Sequence, residues 1–363
     1  MSERELTAGL SISLSGRFQM QGQQALNGLL LWQSLVNAQG GIPVGVADKR
    51  LVRLIWYDDC SQAHRARDNA FRLLRDEKLD ILFGPYSSGL TIAVAEVAEE
   101  FRRVLWNYGG SSDEIFHRGW HYLVGIASPA SDYLRSLPPW LSKNSPPTHR
   151  ICVFYSEKGS FGWQVARGVL ESARLAGQAV ELVPIASSVK DGDSTLSVLH
   201  DVRPEVVVLA TSFQDELTLI RTRRDWPVAV HTAAAVAAGI SLFLRELGAL
   251  AEGVLGPSQW EANVSSSGIE GPSSGWFEQN FRKRFDSPPD YIAAASFASG
   301  IILEECTRRT SVLDNYTLLS IAAELDFSTF YGRFRIDPES GKQLGHRVLL
   351  VQWQRGQKVV LTD

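Results

Sequence analysis

Cysteine is scarce. Only Cys60, Cys152 and Cys306 occur among 363 residues, with no CxxC pair and no zinc-type spacing to the histidines. An odd count leaves at least one thiol unpaired, which suits a reducing compartment or an oxidising one with at most one disulfide. Long apolar runs are missing too. The stretch "VAVHTAAAVAAGISLFL" is interrupted by His231 and Gly239, so no membrane insertion is expected. The amino terminus lacks a basic segment followed by an apolar one, and it does not read as a signal peptide. Charge of one sign is not concentrated: the net charge is −4 and the arginines are scattered, which gives no case for nucleic acid.

Enzyme signatures are also lacking. There is no GxGxxG after a strand, no GxxxxGK[ST] and no HExxH, and no motif brings a serine, a histidine and an acid together for nucleophilic catalysis. Asp58-Asp59 could bind a metal or act as an acid–base pair. Adjacent carboxylates at a strand end point opposite ways, however, and turn and cap duty is the expectation. His117 and His121 have helical spacing, but Gly119 between them weakens a helix. Gly40-Gly41 follows a helical pattern and fits a C-cap. Neither an enzyme nor a cofactor or metal is expected.

What is present is alternation. Strand-like segments at 8–14, 51–57, 81–83, 104–106, 151–155, 179–184, 206–209 and 228–231 are separated by helical patterns at 23–37, 63–77, 90–101, 161–176 and 215–224. Further helices are expected at 274–285 and 292–308. Strands alternating with helices imply parallel α/β sheets with right-handed crossovers. The pattern runs twice, over about 1–124 and 127–250. Crossings fall at "YLVGIASPASDYL" and "GVLGPSQWEAN", with a third change at "FYGRFRIDPESGKQ". There a strand and a DPxSG turn precede the closing hairpin "RVLLVQWQRGQKVVL". One lobe is expected from 1–124 with 257–331, the other from 125–256 with 332–363. A single-sheet enzyme with insertions is the competing architecture.

In "LDILFGPYSSGLTIAVAEVAEEF" a short apolar run hands over to a helix through Ser87, Ser88 and Gly89. A helix start carries free N–H groups and partial positive charge. The two serines fit either an ordinary N-cap or an anion site.

Several stretches in order resemble the leucine/isoleucine/valine-binding branch of ABC-transporter substrate-binding proteins. These are "LSISLSGRFQMQGQQALNGLLLWQSLVNAQGGI", "RLIWYDDCSQAHRARDNAFRLL", "DILFGPYSSGLTIAV", "YSEKGSFGWQVARGVLE", "YIAAASFASGIILEEC" and "FSTFYGRFRIDPESGKQLGHRVLLVQWQRGQ". They cover nearly the whole chain. The resemblance implies an α/β type I periplasmic-binding-protein fold: two Rossmann-like lobes, three crossover segments and a ligand cleft. By resemblance, Ser87 and Ser88 hold a ligand carboxylate or similar head, and Gly109, Gly110 and Ser111 add backbone and hydroxyl contacts. The two glycines would let the main chain approach the ligand. Ser111 and Ser112 also fit a cap for a short helix. Phe161 and Phe213 match positions of aromatic cover in the second lobe, and Phe18 and Trp260 are further candidates. As bare residues Phe161 and Phe213 are more often core than site, and their place at strand-to-helix loops of this fold balances the two readings.

Two departures stand out. Amino-acid binders of this family place an acid after the strand that here ends in "VAVHTAAAVAAG". Alanine and valine fill Ala233 to Ala237, and a buried ammonium would lack a partner unless Asp132 or Glu261 supplied one. Cys60 matches a cysteine that some relatives pair, but the partner position is Tyr86, so no disulfide is expected. The implied function is capture of a small-molecule ligand (amino acid, amide, or aromatic or aliphatic acid) by hinge closure, with delivery to a membrane permease. The alternative is a cytosolic sensor of amide-type ligands that regulates a partner protein. The location would be periplasmic if a leader was removed, and cytoplasmic if Met1 is the native start.

Overall fold

The computed structural model describes residues 5–44, 48–144, 150–186, 189, 193–264, 269–310 and 312–361. The chain enters through β1 (Leu6–Ile12), buried at six of its seven positions. A strand covered on both faces needs no polar alternation. There follow α1 (Gln19–Ala38), the hairpin β2 (Ile42–Val44) and β3 (Asp48–Arg50), β4 (Val52–Asp58), α2 (Ala63–Arg75), β5 (Ile81–Phe83), α3 (Ser88–Glu100), β6 (Leu105–Asn107) and β7 (Leu123–Gly125). These give a five-stranded sheet in the order β4-β1-β5-β6-β7, parallel throughout.

The chain then builds a second sheet. It runs through α4 (Leu137–Asn144), β8 (Arg150–Ser156), α5 (Phe161–Leu175), β9 (Ala179–Ile185), α6 (Asp193–Val202), β10 (Val206–Ala210), α7 (Phe213–Arg221), β11 (Thr232–Ala235), α8 (Ser241–Leu247) and β12 (Leu255–Ser258). Helices α9 (Ser274–Phe285), α10 (Tyr291–Arg308) and α11 (Asn315–Glu324) and the hairpin β13 (Phe327–Thr329) and β14 (Gly332–Phe334) return to the first body. β15 (Leu349–Gln354) and β16 (Gln357–Leu361) finish the second sheet. Its order is β16-β15-β12-β11-β10-β8-β9, with the closing hairpin antiparallel.

Two compact units result. Unit 1 contains the chain through Ser128 and Trp260–Arg347; unit 2 contains Pro129–Gln259 and the chain from Val348. The chain passes from one to the other three times. Residues 332–347, placed with the second lobe by the sequence reading, fall in unit 1. The reason is local: the turn at Asp337, closed by Ser340 N–H on its Oδ1 at 2.8 Å, docks on the end of β7. Gly125 N–H donates to the Gly341 carbonyl at 2.8 Å, and Gln343 Nε2 to the Ile126 carbonyl at 3.1 Å.

β11 also departs from expectation. The sequence reading ends a strand at His231 and leaves the alanines as a loop, whereas Thr232–Ala235 is itself the strand, buried throughout. Alanine has low strand propensity. Here β11 is clamped between β10 and β12, and burial on both faces selects small side chains over propensity. Ala234→Val is therefore expected to destabilise the protein by about 1–3 kcal/mol through overpacking, measured by urea denaturation. A gain in stability would show that propensity rather than space limits this strand.

Candidate functional site

In unit 1 the chain leaves β1 for β4 on one side and later fills β5 on the other. This strand-order reversal opens a crevice at the carboxyl ends of the two strands, where open α/β sheets bind ligands. The loop after β1 delivers Phe18, half-buried, with its ring edge-on to Tyr86 at 5.5 Å between centroids. The loop after β5 delivers Tyr86, Ser87 and Ser88. Ser87 has φ +83° and ψ 145°, and its hydroxyl makes no capping bond. That backbone region is costly for any residue with a Cβ. It is held by Ser87 N–H donating to the Gly109 carbonyl at 3.2 Å. Ser88 Oγ accepts from Ser112 N–H at 3.0 Å, so its own O–H is directed elsewhere. Helix α3 has no acid in its first turn, and its first N–H groups have no acceptor within the helix. The plain N-cap reading thus fails for Ser87, and Ser88 braces a neighbouring loop.

That loop follows β6. Asn107, fully buried, clamps it by accepting from Gly110 N–H at 2.7 Å and donating to the Gly110 carbonyl at 2.8 Å. A Cβ on Gly109 would lie 2.5 Å from the Pro85 carbonyl oxygen, and one on Gly110 would lie 2.4 Å from Thr91 Oγ1. Close approach explains both glycines, but the approach is to their own chain. Ser111 is buried, and Ser112 Oγ caps the short 3-10 turn that follows by accepting from Glu114 N–H. Asp113, buried, is paired with Lys342 Nζ at 3.0 Å.

The two adjacent aspartates take the structural role. Asp58 accepts from Ser15 Oγ, Cys60 N–H and Leu14 N–H. Burial raises its carboxyl, but these bonds together hold it below the usual range. Asp59 is fully buried, accepts from Ser13 Oγ at 2.6 Å and Ser11 Oγ at 3.1 Å, and burial pushes its carboxyl up. Both tie the end of β4 to the loop after β1. His117 ends a 3-10 turn and His121 lies beyond it, bonded through Nδ1 to Glu99. No group of potential metal ligands occurs among the described residues.

Unit 2 repeats the reversal with β8 beside β10. Phe161 is the first residue of α5 and meets Tyr133 edge-on at 5.3 Å. Phe213 is the first residue of α7, half-buried against the local core. Past β11 comes the 3-10 turn Val236–Gly239. Glu216, which the sequence reading missed, is buried beneath these loops. It accepts from Thr211 N–H at 3.0 Å and Ala237 N–H at 2.7 Å. Burial pushes its carboxyl up to about 8, against the lowering pull of those two donors. The available signal was a charge on the helix face that buries Leu219 and Ile220.

Trp260 does not join either face. It is 4% exposed, lies edge-on to Phe277 and Phe330 in unit 1 and donates its indole N–H to Ser274 Oγ at 3.0 Å. A large ring packed on Phe277 and Phe330 has more to gain from that aromatic core than from a strand end. The nearby string Gly271–Gly275 has GxSxG spacing, but Ser273 caps α9 and, among the described residues, no strand leads into it. Asp132 sits in a 3-10 turn, 3.9 Å from Arg135. The three cysteines are free.

The model for periplasmic binding proteins matches residues 5–358. The chain belongs to that family. A Leu/Ile/Val-binding protein homolog 8 of Brucella abortus is 29% identical over 215 residues, 57% of this chain and 51% of the relative; the chain spans about half the length of the curated relatives it matches. The fold is that of LivJ, a branched-chain amino acid transporter substrate binding protein from Streptococcus pneumoniae in complex with isoleucine (TM-score 0.83, 16% identity, 99% of both chains). It is equally that of a solute binding protein of an ABC transporter from Rhodopseudomonas palustris in complex with 3,4-dihydroxybenzoic acid (TM-score 0.82, 17% identity, 98% of this chain and 96% of the other). No helix among the described residues is long and apolar enough to cross a membrane.

The structure thus brings Phe18, Ser87, Ser88, Gly109, Gly110 and Ser111 together on unit 1 and sets Phe161 and Phe213 at the matching strand ends of unit 2. For Glu216, a carboxyl that titrates higher folded than unfolded gives its full stability below the unfolded value and loses it as pH rises through the folded one. Stability should therefore fall across roughly pH 4.3 to 8. In Glu216→Gln that component of the pH profile should vanish, as read from urea midpoints across the same range. Identical profiles for the two proteins would contradict the assignment.

Proposed function

We propose that this chain is the solute-binding component of a branched-chain-amino-acid-type ABC transporter, working in the periplasm and delivering a small carboxylated solute to a membrane permease. The observation that supports this reading is the start of α3. Ser87 is held in a costly backbone conformation with its hydroxyl uncommitted, Ser88 has an O–H to give, and the helix N-terminus has no acid to neutralise it. That is the chemistry of a carboxylate seat. Phe18 and Tyr86 would flank it, while Phe161 and Phe213 would give apolar cover from the other unit as the lobes close. The work is binding and release by hinge closure, with no bond made or broken.

The solute is an aromatic or aliphatic acid or amide in preference to an α-amino acid. The turn after β11 offers Val236, Ala237, Ala238 and Gly239 where an ammonium would need an acid, and buried Glu216 is already committed to backbone donors. An ammonium left unpaired is costly, whereas a flat tail packs favourably on methyl groups and phenyl rings. Two relatives in fold bind 3,4-dihydroxybenzoic acid and benzoate, and two bind isoleucine and leucine, so the fold itself admits either class.

A calorimetric screen of benzoate, aliphatic acids, amides and plain amino acids tests the class. Acids and amides should rank above leucine, valine and glutamate; micromolar or tighter binding of a plain amino acid would overturn the ranking. The seat is tested by Ser87→Gly. Relief of the backbone should leave stability level or raise it by up to about 2 kcal/mol. Loss of a charge-assisted hydrogen bond should weaken the tightest acid of the screen at least about tenfold. Unchanged affinity would reduce Ser87 to a structural residue.

A further inference from the structure

A buried carboxyl group spans the ends of two neighbouring strands in unit 2. Glu216 takes one N–H on each oxygen: Thr211 on Oε1 and Ala237 on Oε2. The donors belong to different loops. Thr211 opens the connection to Phe213 at the head of α7, and Ala237 lies in the turn Val236–Gly239. The side chains of that turn are a valine and two alanines before a glycine, none able to bond its backbone, and no side chain caps its start. Its carbonyls are held from elsewhere, Ala238 by Trp353 Nε1 at 2.9 Å and Gly239 by Lys358 Nζ at 3.0 Å. Gly239 is pressed against the end of β12, where a Cβ would lie 1.9 Å from the Pro257 carbonyl oxygen. On its N–H side the turn is held by Glu216, from another segment of the chain.

We propose that Glu216 is the positioning residue of the strand-end face of unit 2, locking the Phe213 loop to the Val236–Gly239 turn so that neither shifts without the other. The proposal rests on the reading that this face meets the solute. Glu216 is 1% exposed, so it acts through the two loops and not by touching a ligand. It gives an alanine-rich turn, which has no polar side chain of its own, a fixed shape before any solute arrives. The same contact commits the carboxyl group beside the turn after β11, so the device that orders the face also keeps that acid off it.

Residue-resolved amide hydrogen exchange on the full chain tests this without a ligand. In Glu216→Ala, exchange at Thr211 and Ala237 should speed up at least about tenfold through local opening, while the β10 amides from Val206 to Leu209 stay slow. In Glu216→Gln one acceptor oxygen remains, so only one of the two amides should lose protection. A uniform rise across unit 2, or no change at either amide, would overturn the proposal. If neither variant folds, the wild-type profile decides: Thr211 and Ala237 exchanging as slowly as β10 supports the lock, and exchange as fast as exposed loops refutes it. Calorimetry with sodium benzoate and L-leucine is the second arm. For a probe the wild type binds, Glu216→Gln should weaken affinity at least about tenfold, and equal affinity would overturn the positioning role. Failure of the wild type to bind benzoate counts against the acid-binding reading, while the lock is still decided by the exchange rates at Thr211 and Ala237.

Discussion

Parallel pairing of β1 with β5, and of β8 with β10, is the constraint from which both candidate faces follow. In each pair the first strand feeds a crossover to one side of the sheet and the second strand feeds one to the other. The two connections diverge, and the carboxyl ends of the strands are left uncovered between them. What occupies that gap is whatever the following helices begin with: Phe18 before α1 and Ser87-Ser88 at α3, then Phe161 at α5 and Phe213 at α7. Polar and aromatic residues otherwise far apart in sequence are gathered because parallel strands all end on the same side.

The two faces treat their backbone donors in opposite ways. Unit 1 leaves the first N–H groups of α3 without an acid nearby and commits Ser88 as an acceptor, which turns its O–H outward. Unit 2 satisfies comparable donors internally: Ser212 Oγ caps α7 by accepting from Asp215 N–H, and Glu216 takes Thr211 and Ala237. Backbone donors are thus left uncommitted on unit 1 and satisfied on unit 2, while aromatic carbon is present on both.

How much of this was legible in the sequence depended on whether a signal was local. Helix α5 and the hairpin β15–β16 carry their own periodicity and turn residues and lie within a residue or two of where the pattern puts them. The Ser-Ser helix start was visible because a strand, a Gly-Pro and a helix meet within a dozen residues. β11 was misplaced because its strand character comes from being clamped between neighbours, which four consecutive residues, Thr232–Ala235, do not announce. The third crossing was set too early because the Asp337 turn belongs to unit 1 only through its bonds to Gly125 and Ile126. Trp260 read as a face residue from its place after a crossing, yet its surroundings, Phe277 and Phe330, lie 17 and 70 positions further along. Glu216 was hidden for the same reason, since its partner Ala237 is 21 residues away.

The glycine pair carries the last step. Read from sequence, Gly109 and Gly110 are absences that make room for a ligand. In the structure the room is taken: Pro85 and Tyr86 press on Gly109, Thr91 on Gly110, and Asn107 closes the loop from beneath. The same contact that excludes a Cβ at Gly109 lets its carbonyl reach Ser87 N–H and hold that residue at positive φ. The strain at Ser87 is therefore sustained by packing within unit 1 and needs no bound molecule to maintain it. A face assembled in advance loses less conformational freedom when a solute arrives, so more of the interaction energy remains as affinity. The glycines thus fix in place the residues proposed to form the seat.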